Sequence, residues 1–164
     1  MMDHEKREIE ALQQCGLPNA LEAMGERWSF MILRGALTGI RHFEDFQSTL
    51  GIARNILANR LARLVEKGIM AREPMSCDRR KVEYSLTQKG RALAPVMIAL
   101  RQWGEKWECG VPSVPVLCDR RDGKPIQQIG IQSHDGRMLE VDDLMWVFDD
   151  EQTPVCEERT HATA

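Results

Sequence analysis

The segment from Ala53 to Lys67 constrains the fold of this chain most strongly, because its apolar residues repeat with a helical period. The apolar positions, at i, i+4, i+7 and i+8, are Leu57, Leu61, Leu64 and Val65. At about 100° per residue, the residues within roughly 60° of the opposite direction are Asn55, Asn59, Ala62, Arg63 and Glu66. The pattern predicts a helix that buries one face, turns Asn and Arg outward and ends at Gly68.

A second, shorter helix is predicted directly before this one. Phe43, Phe46 and Leu50 recur at helical spacing, and Gly51 closes the segment. A short helix, a tight connection containing glycine and an amphipathic second helix form the helix-turn-helix arrangement, whose second helix suits the major groove of DNA.

Two short strands follow, Ile69 to Met75 and Lys81 to Leu86, and the second alternates in polarity. Residues 76–80 join them and place basic side chains near the tip of a hairpin, the wing. Thr87 then begins a long apolar helix, in which Pro95 predicts a bend near Arg91.

The segments before and after this central part are predicted to be helical and β-rich, respectively. Upstream, we expect helices over His4–Gln14 and Ala20–Leu37, with turns at Gly16 and Pro18 and Asn19 as the cap of the second helix. Downstream of Gly110, two Asp-Gly pairs suit hairpin turns. They are Asp122-Gly123 and Asp135-Gly136.

The predicted fold class is therefore α+β and mainly α: a winged helix-turn-helix with flanking dimerisation helices and a small C-terminal β appendage. We divide the chain into a DNA-binding and dimerisation domain (1–108), a β-rich extension (109–150) and an acidic tail (151–164), which we expect to be disordered.

The charges are distributed unevenly, although the net charge is only -3. From Arg34 to Arg101, 13 Lys or Arg stand against 6 Asp or Glu, a net charge of +7; from Cys109 to Ala164 the counts are 5 and 11, a net charge of -6. The apolar content of 43%, without an apolar run of 18 residues, predicts a soluble protein that stays in the cytoplasm and does not bind membranes.

Several segments, in the same order, resemble those of the HxlR-type winged helix regulators, relatives of the MarR group. They are Cys15–Pro18, Glu26–Arg34, Arg41–Phe46, Asn55–Leu61, Glu83–Gly90 and Trp103–Trp107. The resemblance implies a homodimer on operator DNA, in which the outer helices form the dimer contact and each subunit presents one recognition helix and one wing. Ala53 departs from the pattern, because the family often has a capping Ser there.

The predicted partner is double-stranded DNA, bound through two groups of side chains. Those expected to neutralise phosphates are Arg41, Arg79, Arg80 and Lys81, and those expected to read base edges are Arg54, Asn55, Asn59 and Arg63. For Arg60, an ion pair with Glu44 or Glu66 and a phosphate contact are both open.

Trp103 and Trp107, with Leu100, are expected at a dimer interface, and a pocket for an unidentified small-molecule effector between subunits is the alternative for the two tryptophans. Cys15 precedes a helix N-terminus, where partial positive charge favours thiol oxidation. A redox switch at Cys15 is one interpretation, and a small inert side chain is the other.

Two other function classes, an enzyme and a protein-binding module, agree less well with the sequence. An enzyme with Cys15 as nucleophile and His42 as base lacks any catalytic, dinucleotide or phosphate-binding motif. A winged-helix module that binds protein instead of DNA is opposed by the basic middle of the chain. Five cysteines without a C-x-x-C pair and four scattered histidines predict no metal site and no cofactor.

Overall fold

The computed structural model describes residues 15–75 and 81–146. The predicted first helix, the wing tip with Arg79 and Arg80, and the acidic tail lie outside the described residues. The larger elements are α1 (Gly16–Met24), α2 (Arg27–Leu37), α3 (Phe43–Leu50), α4 (Arg54–Glu66), β1 (Met70–Pro74), β2 (Val82–Leu86), α5 (Gln88–Arg91) and α6 (Ala94–Gly104). The predicted fold class, α+β with mainly helices, is confirmed.

Helix α1 begins earlier than the sequence predicted. Cys15 is its N-cap, and Gly16 and Pro18 lie in its first turn instead of at a chain reversal. Proline is tolerated there because the first amides of a helix have no partner within the helix. Asn19 is therefore an internal residue, and the predicted cap was wrong. The predicted single helix Ala20–Leu37 is interrupted at Gly25, whose φ is 77°, and α2 begins at Arg27.

The core lies where α2, α3 and α4 meet. The buried residues that form it are Ile32, Leu33, Phe46, Ile52, Leu57, Leu61, Leu64, Ile69 and Met70. Gly35 admits the Phe46 ring, since a Cβ at this position would lie 3.1 Å from Phe46 Cε1. Each fully buried aliphatic or aromatic side chain contributes about 1.5–3 kcal/mol through the hydrophobic effect, so this cluster fixes the mutual positions of the three helices.

Strands β1 and β2 form the predicted antiparallel hairpin, with Met70 opposite Leu86 and Pro74 opposite Val82. The amide of Tyr84 donates to the carbonyl of Arg41 at 2.8 Å. This bond ties the wing to the segment that leads into α3.

The predicted bend near Arg91 is a break between two helices. The hydroxyl of Thr87 accepts from the Gly90 amide as the predicted cap of α5, and α6 starts at Ala94. Pro95 lies at the second position of α6, where a missing amide costs little. The same Thr87 hydroxyl lies 2.7 Å from the Gly68 carbonyl oxygen, to which it donates, so it also holds the end of α4.

A π-helical turn, Glu105–Cys109, extends α6 and is fastened to the segment after it. Arg101 Nη2 donates to the carbonyls of Ser113 (3.1 Å) and Pro115 (2.6 Å). Glu105 accepts from the Ser113 amide at 3.1 Å and pairs with Arg101 at 2.9 Å. We call these four residues the linker clasp.

The chain divides into two compact units after Ile126. In the first unit, Cys118 and Pro125 form an isolated antiparallel β-bridge on either side of the Asp122-Gly123 turn. In the second unit, strand β3 (Ile131–Gln132) pairs with strand β4 (Met138–Leu139) around the Asp135-Gly136 turn. Both predicted turns are confirmed. None of the described helices is long and apolar enough to cross a bilayer.

Candidate nucleic-acid interface

The connection between α3 and α4 is short and defined by local backbone conformation. Gly51 takes a left-handed conformation (φ 59°), Ile52 is buried, and Ala53 is extended before α4 begins at Arg54. Because Ala53 has no side-chain acceptor, it makes no capping hydrogen bond. The two helices are thus held by one buried anchor, Ile52, and by the shared core.

The first two turns of α4 present polar side chains to solvent. Arg54, Asn55 and Asn59 are exposed, and the first turn contains no acidic residue. Asn55 Oδ1 accepts from the Ile56 amide at 2.9 Å, which satisfies one of the amides that the missing cap leaves open. This surface carries donors and acceptors of the kind that read base edges.

Arg54 is held by an aromatic ring. Its guanidinium carbon lies 4.8 Å from the centre of the Phe43 ring, within the range of a cation–π contact. From the sequence, Phe43 was expected only as an apolar position of the short helix. The contact restricts Arg54 without using its N–H donors, which stay free to bind a partner.

The other basic residues of α4 face α1 and α2. Arg60 Nη2 donates to Glu26 Oε2 at 2.9 Å. Of the two alternatives left open for Arg60, an ion pair is therefore present, but its partner is Glu26 and not Glu44 or Glu66. Arg63 Nη2 donates to the Glu22 carbonyl at 2.8 Å. The helical wheel placed Arg63 outward, but its long side chain turns to α1 and has a structural role there. Its base contact stays a prediction.

The wing and the segment before α3 supply further exposed cations. Arg41 and Lys81, both predicted, are exposed, and Arg79 and Arg80 lie outside the described residues. Arg72, on β1, is a further exposed cation that the sequence reasoning missed. Arg72 lies directly opposite the half-buried Tyr84 in the hairpin, so strand alternation alone does not predict its exposure.

The outer helices expose apolar side chains. Leu17 and Leu21 of α1, Leu100 and Trp103 of α6, and Trp107 of the π-helical turn are each between 51% and 64% exposed. Lys106 Nζ lies 4.8 Å from the centre of the Trp107 ring. Exposed apolar side chains that lie together are typical of interaction surfaces, and Leu100 and Trp103 are three residues apart on α6.

Cys15 and His42, considered above as a catalytic pair, have separate partners. Cys15 Sγ accepts from the Leu17 amide at 3.5 Å at the start of α1. His42 Nδ1 lies 3.5 Å from the Val82 carbonyl oxygen, and its Nε2 lies 4.0 Å from Glu83 on the wing. Each side chain has a local structural contact, and no described contact joins the two.

A three-helix core, a short connection into an exposed polar helix and a two-stranded hairpin beside it define a winged helix-turn-helix domain. The sequence profile of the family described as HxlR-like helix-turn-helix matches residues 23–110. The chain belongs to this family, as the sequence motifs predicted.

An uncharacterized HTH-type transcriptional regulator of Mycobacterium tuberculosis strain H37Rv is 46% identical over 88 residues. The match covers 54% of this chain and 56% of that protein, so only about half of the relative's length is spanned.

Two solved structures add to the comparison. PA1607, a proposed transcription factor, has a TM-score of 0.76 and 39% identity, covering 82% of this chain and 95% of that one. This similarity extends beyond the winged helix into the C-terminal extension. The redox regulator HypR, in its oxidized form, has a TM-score of 0.51 and 31% identity over 56% of this chain and 96% of its own.

Proposed function

We propose that this protein is a sequence-specific DNA-binding transcriptional regulator of the cytoplasm that acts as a homodimer on a palindromic operator. The observation that carries the proposal is the exposed polar surface of the first two turns of α4, to which Arg54, Asn55 and Asn59 contribute. In this arrangement α4 enters the major groove, as the second helix of a helix-turn-helix does.

The described cations divide by position into two roles. Arg54 and the two asparagines lie on α4 and read base edges, since arginine pairs with guanine and asparagine with adenine in bidentate geometry. Arg41, in the segment before α3, and Lys81, directly before β2, neutralise phosphates. For Arg79 and Arg80 the same phosphate role remains a prediction from the sequence.

A homodimer accounts for the exposed apolar surface of the outer helices. Leu100, Trp103 and Trp107 carry large side chains that a second copy of the chain would remove from water at about 25 cal/mol per Å². A two-fold arrangement also matches a palindromic operator, because each subunit then meets one half-site.

Thiol oxidation is a proposed mode of control. Cys15 is half-buried and caps the helix that contributes Leu17 and Leu21 to the outer surface, so a modification of its sulfur would disturb the start of α1. The similarity to HypR, described as a redox regulator, supports this mode. If Cys15→Ser protein still releases DNA in diamide as the parent does, the Cys15 switch is wrong; a small-molecule effector is then the next candidate.

The experiment for the main proposal measures binding to a DNA fragment from upstream of the protein's own gene at two salt concentrations. Arg54→Ala with Asn59→Ala removes two base-reading side chains and should weaken binding at least about tenfold, since each good bidentate contact contributes about 1–3 kcal/mol. Arg120→Ala, a change of equal charge in the extension, should leave the affinity nearly unchanged.

Binding that falls steeply with salt and depends on the double variant supports regulation through DNA. Equal effects of the double variant and Arg120→Ala would show charge attraction without base reading. If no DNA is bound at either salt concentration, the proposal is wrong and a winged helix that binds protein takes its place.

A further inference from the structure

One flank of α4 is joined to the α1–α2 corner by three basic residues. Arg60 contacts Glu26 (2.9 Å), Arg63 contacts the Glu22 carbonyl (2.8 Å), and Lys67 Nζ lies 3.3 Å from Glu22 Oε1. Three positively charged side chains of α4 and its C-terminal end are thus paired with acceptors of the protein itself. The three contacts differ in how readily DNA could replace them.

Glu26 occupies an unusual position for an ion-pair partner. It is the N-cap residue of α2, yet its side chain makes no capping hydrogen bond and reaches across to Arg60. The Glu26 side chain is 72% exposed, and that of Arg60 is 22% exposed. An ion pair with one partner this exposed is worth about 0.2–1 kcal/mol, so an anion of higher charge density can displace the carboxylate.

Arg60 also has donors to spare. A guanidinium carries five N–H donors, and the described contact with Glu26 uses only one of them, at Nη2. A phosphate can accept two parallel N–H bonds from one arginine, which a single bond to Glu26 does not match. Arg63 differs, because its acceptor is a backbone carbonyl of α1 that is fixed by the helix.

We propose that Glu26 is an internal counterion that holds Arg60 in the free protein and yields it to a backbone phosphate when DNA binds. Glu26 thereby lowers the sequence-independent part of the affinity, which comes from phosphate contacts. The inference rests on the proposed function, since it requires that α4 meets DNA.

The test measures binding of the full chain to a random-sequence DNA duplex and to the fragment from upstream of its own gene, over a range of salt. Glu26→Gln should tighten binding to the random duplex roughly two- to fivefold, the factor that corresponds to the worth of an exposed pair. Binding to the upstream fragment should tighten by a similar factor, because a phosphate contact carries no sequence information.

Glu66→Gln is the matched control, because it removes the same charge from the exposed face of α4. Arg60→Gln should weaken binding and reduce the slope of log K against log salt by about 0.9, the value for one phosphate contact. The increase in DNA affinity caused by Glu26→Gln should largely disappear in protein that also carries Arg60→Gln. The smaller increase in affinity caused by Glu66→Gln should persist in that protein. Arg60→Lys should restore the salt slope, which separates a phosphate contact from a purely structural role.

The outcomes distinguish this inference from the proposed function. Wild-type protein that binds neither DNA overturns both. Wild-type protein that binds, with a Glu26→Gln gain no larger than that of Glu66→Gln or undiminished by Arg60→Gln, overturns the counterion role alone.

Discussion

At the scale of single residues, the start of α4 lacks a side-chain cap. Ser, Thr, Asp or Asn at this position accepts a hydrogen bond from an amide in the first turn, and Ala53 cannot. We expect Ala53→Ser to raise the free energy of unfolding by about 1 kcal/mol, measured by urea denaturation. Ala58→Ser, an exposed change in the middle of the same helix, should bring no gain; equal stability of the two variants would contradict the capping role.

Gly90 is required by a close backbone contact. A Cβ at this position would lie 2.2 Å from the Ile69 carbonyl oxygen, so Gly90→Ala must displace either α5 or the end of α4. We expect a loss of about 1–3 kcal/mol or more in the free energy of unfolding.

Gly104 provides the matched comparison for Gly90, because a Cβ there meets no atom within 4 Å and the residue is helical. Gly104→Ala should stabilise the protein by about 0.5–1 kcal/mol through the lower backbone entropy of alanine. Unfolding curves of similar midpoint for the two variants would show that the Gly90 contact is easily relieved.

Residue identity predicted local geometry well and pairing poorly. Gly51, Gly68 and the two Asp-Gly turns were predictable because a glycine that permits positive φ marks a chain reversal wherever it occurs. The turn predicted at Pro18 was wrong, because proline breaks the interior of a helix but is tolerated in its first turn. The Glu26–Arg60 pair joins residues 34 positions apart, and no local pattern contains that information.

At the scale of elements, the linker clasp couples the π-helical turn to the chain that follows. The Ser113 hydrogen bond to Glu105, aided by the Arg101 guanidinium, holds the pKa of that carboxyl below its ordinary value of 4.5 despite an opposing contribution from desolvation. The contribution of the clasp to stability is therefore complete above pH 4.5 and is lost as the pH falls through the lower pKa of the folded state.

The clasp predicts a titration that can be followed at one amide. The backbone amide resonance of Ser113 should shift with a midpoint below pH 4.5, and Glu105→Gln should abolish this transition. Asp142, exposed and in the second unit, supplies a control variant, Asp142→Asn, that should leave it unchanged. A Ser113 midpoint at or above 4.5 would show that the carboxylate is not held by this contact.

The elements themselves were largely predictable, and their joints were not. The period of α4 and the alternation of β2 placed both elements within one or two residues, because a buried face imposes its spacing on the sequence. Whether α5 and α6 form one bent helix or two could not be predicted, because a proline in a helical pattern is compatible with either a kink or a break.

At the scale of the whole molecule, the proposed dimer places the outer helices at its centre. Trp103→Glu puts a charge into that interface and should convert the dimer to a monomer in sedimentation experiments, with weaker DNA binding as a consequence. Trp146→Glu is the control: Trp146 is 99% exposed but lies in the second unit, and its change should leave the dimer intact. If Trp146→Glu dissociates the dimer and Trp103→Glu does not, the dimer interface lies in the extension instead.

The division of the chain after Ile126 determines where this protein can best be joined to another segment. The linker clasp binds Ser113 and Pro115 to α6, so a junction placed directly after the winged helix would sever contacts that the helix needs. A junction after Ile126 keeps the clasp whole. Exchange of extensions among relatives, or fusion of a fluorescent reporter, is therefore best tolerated at the later boundary, some sixteen residues beyond the end of the matched family segment.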